Sequence, residues 1–126
     1  MREGARVEPR DIHERVMEYA LRGIKLYQYL RKQKDDVAWT LGKQYLRSAT
    51  SIGANLAEAH AGESRADFVH KCAIAQKEAR ESKYWLKLML RARVVPEKRL
   101  QPLLRETEEI LAIVTVIIVN TKSKKH

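Results

Sequence analysis

One cysteine in 126 residues, Cys72, excludes an internal disulfide and suits a reducing compartment, so a cytoplasmic location is expected. Nothing at the N-terminus joins a basic flank to an apolar run and a small-residue cleavage site, so export is not expected. The one long apolar run, Ile110 to Val119, is half of what a bilayer requires, which argues against a membrane span. The chain also lacks a Gly-rich phosphate loop, a nucleophile motif and a carboxylate-histidine metal pattern. His70 and Cys72 lie two residues apart and face different sides of a helix, His13 and His126 are isolated, and His60 near a helix end reads as a solvent contact. No catalysis, cofactor or metal is therefore expected. Acids are scarce as well: 16 Asp and Glu stand against 25 Lys and Arg, a formal charge of +9. A soluble domain this basic usually meets a polyanion.

What the chain does have is helical periodicity, in a length suited to one domain. Residues 1–9 are charged and aperiodic and read as a flexible arm; 10–121 form the domain, and 122–126 are a basic tail. The first helix runs from Arg10 to about Gln33 on Ile12, Val16, Tyr19, Ala20, Ile24, Tyr27 and Leu30. Lys34-Asp35-Asp36 breaks it and supplies an aspartate cap. The second carries Trp39, Leu41, Tyr45, Ala49, Ile52 and Leu56; Gly42 and Gly53 inside it each cost about 1 kcal/mol against alanine, which points to close packing. Gly62 closes it, and Ser64 with Asp67 approximates a capping box for the third helix, Arg65 to about Ala92, on Phe68, Cys72, Ala75, Ala79, Ser82, Leu86 and Met89. Pro96 suits the first turn of the fourth, and Pro102 is expected to kink it.

Two features point beyond the fold. Lys77, Arg80, Lys83, Lys87 and Arg91 recur at intervals of three and four on helix three, gathering five cations on a strip roughly 20 Å long at ~1.5 Å per residue. Only Glu78 and Glu81 are near enough to balance them, so the strip is the candidate phosphate-binding surface. In helix four every residue from Ile110 to Val119 except Thr115 is apolar. A bundle of this size covers only part of such a helix, so Ile113, Val116 and Ile117 are expected to contact another subunit.

A polar strip, Ser51, Asn55 and Glu58, runs beside the apolar stripe of helix two. Arg47, Ser51, Asn55, Glu58 and Glu81 are the candidate structural polar network, with Asn55 and Glu58 expected to bond Glu81, Arg80 or Lys83 of helix three. Here the pattern Gln44, Arg47, Ala49, Ser51, Ile52, Asn55, Leu56, Ala57, Glu58 resembles the signature of the bacterial four-helix-bundle proteins first met as products of intervening sequences in 23S ribosomal RNA genes. The likeness continues through Ser64 to Phe68 and through Ala75 to Glu81. It departs at Ala59 and His60, where Glu-Gly is common, and at Glu78, where a small serine is usual. The resemblance implies an all-α, antiparallel up-down four-helix bundle, a homopentamer and no established enzymatic activity. Distant relatives are accessory factors of reverse transcriptases and bind nucleic acid.

Three readings follow. The first is a non-catalytic basic oligomer that binds RNA or DNA, with a reverse transcriptase as a candidate protein partner. The second is a structural or protein-interaction oligomer. The third rests on Arg65 and His70, an Arg-x4-His pair that resembles the ribonuclease motif of HEPN domains, although Ala66 replaces the polar residue often found after the arginine.

Overall fold

Asp35 and Ser64 set two of the helix starts through their side chains, and four helices account for nearly all of the described residues. In the computed structural model, which describes residues 11–62 and 64–123, these are α1 (Ile12–Arg31), α2 (Asp36–Ala61), α3 (Arg65–Ala92) and α4 (Glu97–Ser123). Asp35 accepts from the amides of Val37 and Ala38, and Ser64 accepts from that of Asp67, so orphan N–H groups of α2 and α3 are satisfied at their first turns. Arg93 ends α3 in the left-handed region (φ 57°), with its amide on Leu90 O and that of Val94 on Met89 O. This is a Schellman closure with arginine where glycine is usual. The residues expected to form the N-terminal arm and the last three of the basic tail lie outside the described residues; Lys122 is exposed on the last turn of α4.

Paired side chains give the helix directions. Lys83 meets Glu108 while the earlier Gln76 meets the later Thr115, so α3 and α4 are antiparallel. The same reversal relates α1 to α2 (His13 to His60, Tyr27 to Trp39) and α1 to α4 (Arg15 to Glu106, Tyr29 to Arg99). Neighbours in sequence pack as neighbours in space. The α2–α3 interface is the most extensive and α1–α4 the slimmest, and α1 lies diagonally across from α3. The fold is an up-down four-helix bundle.

Most positions of the predicted apolar stripes of α2 and α3 are buried, Tyr45, Ala49, Ile52 and Leu56 on one and Cys72, Ala75, Ala79, Leu86 and Met89 on the other, whereas Leu41 and Phe68 are only half-buried against the core. Gly42 and Gly53 permit close approach. A methyl on Gly42 would fall 2.6 Å from Leu30 Cδ1, and one on Gly53 3.2 Å from Val16 Cγ2. Two expectations need correction. In α1 the buried stripe after Tyr19 is Gly23, Leu26 and Leu30, so Ile24 is exposed and Tyr27 only half-buried. Trp39 stands at the exposed start of α2, where its indole N–H donates to Tyr27 Oη (3.0 Å) and Lys43 lies over its ring. Pro102 lies inside α4, which is one helix on both sides of it, so the helix does not begin anew at the proline. The proline sits on the exposed side, leaving one carbonyl without its helical donor.

A polar layer crosses the middle of this apolar core. Tyr19 Oη donates to Thr107 Oγ1, which donates to Leu103 O; Ser82 Oγ donates to Ser48 Oγ (2.8 Å), which donates to Tyr45 O. All four helices contribute. Burial raises the pKa of both Tyr19 and Tyr45, so each phenol stays neutral. The Tyr45 hydroxyl makes no hydrogen bond of normal geometry among the described residues. A buried orphan hydroxyl costs about 1–3 kcal/mol. Tyr45→Phe is therefore expected to keep or raise the melting temperature, whereas Thr107→Val, which strips Tyr19 of its acceptor, is expected to lower it; calorimetry of the two variants checks the contrast.

Candidate nucleic-acid interface

The core positions of α3 leave one face pointing away from the bundle. With Cys72, Ala75, Ala79, Ser82, Leu86 and Met89 buried, the outward positions are Lys77, Arg80, Tyr84, Lys87 and Arg91, all exposed. The spacing is three, four, three and four, the repeat of a single helix face. Four of the five predicted cations are therefore brought together. The fifth is not. Lys83 is rotated toward α4, half-buried, with its Nζ 3.4 Å from Glu108, and Tyr84 takes its place at the centre of the strip. Among the described residues Lys77, Arg80, Lys87 and Arg91 form no ion pair, so their charge is directed at solvent.

The predicted polar network is assembled only in part. Arg47 of α2 reaches across to α3, bonding Glu81 closely and Glu78 at 3.4 Å. Glu81 also accepts from Trp85 Nε1 at 3.1 Å, so one carboxylate ties the two helices and fixes an indole. Ser51 and Asn55 turn back on their own helix, to Arg47 O (2.7 Å) and Ser51 O (2.9 Å). Glu58 is exposed and makes no hydrogen bond or ion pair among the described residues. Spacing on α2 correctly placed these side chains on a common strip, but the rotation of α3 brings Glu78 and Glu81 opposite Arg47 alone.

Arg47 first, and then Trp85, holds the Glu81 carboxyl below its ordinary range. A group whose folded pKa is depressed contributes stability above its unfolded pKa and loses it as pH falls through the folded one. Glu81→Gln is thus expected to be less stable than wild type near neutrality and to show a shallower loss of melting temperature from about pH 6 to about pH 3. Equal acid slopes in the two proteins would show that the pair carries no linkage.

Two groupings were not legible in the sequence. His13 and His60, read there as isolated and solvent-facing, stack edge to face with ring centroids 5.3 Å apart where α1 begins and α2 ends. Arg15 of α1 is clamped between Glu106 and Glu109 of α4, bonding the first in a bidentate fork (2.7 and 2.9 Å). Both unite residues far apart in sequence. The sequence reading missed Tyr84 as the centre of the basic strip, although continuing the three-four repeat from Lys77 and Arg80 reaches it before Lys87. Arg65 and His70, five residues apart on one regular helix, point roughly 140° away from each other within the chain. Among the described residues no group of three or more His, Cys, Asp and Glu side chains could hold a metal ion, and no helix is long and apolar enough to cross a membrane.

Comparison with known proteins places this arrangement. The family model described as 23S rRNA-intervening sequence protein matches residues 9–116, the four helices almost entire. The chain belongs to that family. A crystal structure of an S23 ribosomal protein family member from Bacteroides thetaiotaomicron, of unknown function, superposes with a TM-score of 0.80 at 38% identity, covering 86% of this chain and 98% of that one. No protein of curated function matches the chain. In this member of the 23S rRNA-intervening sequence family, the signature residues Ala49, Ile52 and Leu56 are core, Arg47 is the cross-helix clamp, and Ser51 and Asn55 bond within α2. Glu78, where the resemblance would place a small serine, is the clamp's second carboxylate.

Proposed function

We propose that this protein is a non-catalytic, cytoplasmic, oligomeric bundle that binds RNA or DNA through the outward face of α3, as an accessory to a nucleic-acid enzyme such as a reverse transcriptase. The observation that carries the reading is the row Lys77, Arg80, Lys87 and Arg91, exposed and without ion pairs among the described residues, in a chain of formal charge +9. Lysine and arginine on a helix face chiefly touch phosphates, so affinity is expected to vary little with sequence and to fall steeply with salt, at a log-log slope of roughly −0.7 to −0.9 per neutralised phosphate. Filter retention of labelled RNA and DNA across a salt series tests this. RNA recovered intact after binding supports a binding module, and RNA cut by wild type but spared by His70→Ala would favour the ribonuclease reading instead.

A homopentamer is the expected assembly from the family resemblance. Association of subunits, though not their number, is supported by two apolar strips that the single chain leaves open: Met17, Leu21 and Ile24 on α1, and Val116 and Val119 on α4. The α1 strip lies across the bundle from the basic face, so association through it leaves the cations free and repeats them around the assembly, where weak contacts add by multivalency. The same strips favour the second reading, a protein-interaction oligomer, which takes the lead if no nucleic acid is retained at low salt.

A further inference from the structure

At the midpoint of the basic face stands an aromatic ring. Tyr84 is 57% exposed, one turn from Arg80 on one side and from Lys87 on the other, and it lines a shallow hollow with Lys87, Leu88 and Arg91. We infer that Tyr84 is a stacking platform for an unpaired base, so that this face selects single-stranded over double-stranded nucleic acid. The inference rests on the proposed backbone binding and deepens it.

Three observations converge on the ring. First, Lys83 turns away to Glu108, so the centre of the strip is a flat π surface instead of a fifth charge. Second, the ring is braced from behind. Trp85 meets it edge to face, with centroids 5.1 Å apart and planes at 74°; Trp85 Nε1 is held by Glu81, and Glu81 by Arg47 of α2. A chain of contacts anchored in the neighbouring helix therefore limits how far the platform can tilt. Such pre-organisation lowers the ordering cost of binding. Third, the flanking cations lie roughly 10 Å apart along the helix by its rise, one on each side of the ring, where they can meet the phosphates that precede and follow a stacked nucleotide. A duplex offers this face only backbone, because its bases are already stacked on one another, whereas every base of a single strand has a free π face.

The test uses the full-length protein with a fluorescent oligouridylate and a blunt duplex of equal length, at low salt. Wild type is expected to prefer the single strand, and Tyr84→Ala to lose roughly tenfold in single-strand affinity with duplex affinity within about twofold of wild type. Tyr84→Phe, which keeps the ring, is expected to retain the preference. The salt slope of Tyr84→Ala should match wild type, since stacking releases no counterions, and single-strand binding should quench Trp85 in wild type more than in Tyr84→Ala. Equal losses on both probes, or none on either, overturn the stacking role while leaving backbone binding intact. Failure of wild type to retain either probe overturns the backbone-binding reading itself, and the stacking role with it.

Discussion

Arg80→Glu combined with Lys87→Glu is expected to lower affinity for RNA and DNA roughly 25-fold per engaged subunit near 0.1 M salt, and further where several subunits engage one strand. The figure follows from counterion release: each phosphate contact of a single strand is worth about fivefold at that salt, and two are lost. Each reversal also removes two charges, taking the formal net charge from +9 to +5. Because both side chains point to solvent, the fold is expected to survive, and the melting temperature should move little. The loss should be uniform across sequences, with a flatter salt slope measured by fluorescence anisotropy. Lys83 is the internal control. It is already paired with Glu108, so Lys83→Glu is expected to weaken binding less than Lys87→Glu does. A double variant that binds like wild type would make the basic excess a solubility feature.

Val116→Asp is expected to dissociate the proposed oligomer, raising its dissociation constant roughly tenfold or more, as read by light scattering over a dilution series. Within one chain Val116 is 54% exposed and Val119 58%, so they contribute little to their own core. Covering them with a second subunit buries a carboxylate in the variant without a partner, and an unpaired buried charge is strongly unfavourable. Ile117 is a poorer probe. It packs against the core of its own chain, so Ile117→Lys would unfold and dissociate together, whereas Val116→Asp is expected to leave far-UV circular dichroism unchanged. Ile113 is half-buried and falls between the two. Unchanged molecular weight in Val116→Asp would move the interface to Met17, Leu21 and Ile24 of α1.

Local rules made the helices legible. An aspartate cap before α2 and the Ser64 cap follow from local turn chemistry, and the span of α3 and most of the buried stripes of α2 and α3 follow from residues three and four apart meeting on one face, neither of which needs knowledge of any neighbour. The basic strip was legible for the same reason, as was the excess of charge. Where two apolar positions competed for the core, the sequence alone did not decide: in α1 both Ile24 and Leu26 continue a plausible stripe from Tyr19, and only the seating of α1 against Tyr45 and Ala49 puts Gly23 and Leu26 inside. The diversion of Lys83 to Glu108, the choice of Arg47 over Asn55 and Glu58 as the clamp, and the meetings of His13 with His60 and Arg15 with Glu106 were likewise decided by the tertiary structure. Each depends on the rotation of one helix about its axis relative to another. Periodicity specifies which residues share a face, but packing between helices specifies what that face meets.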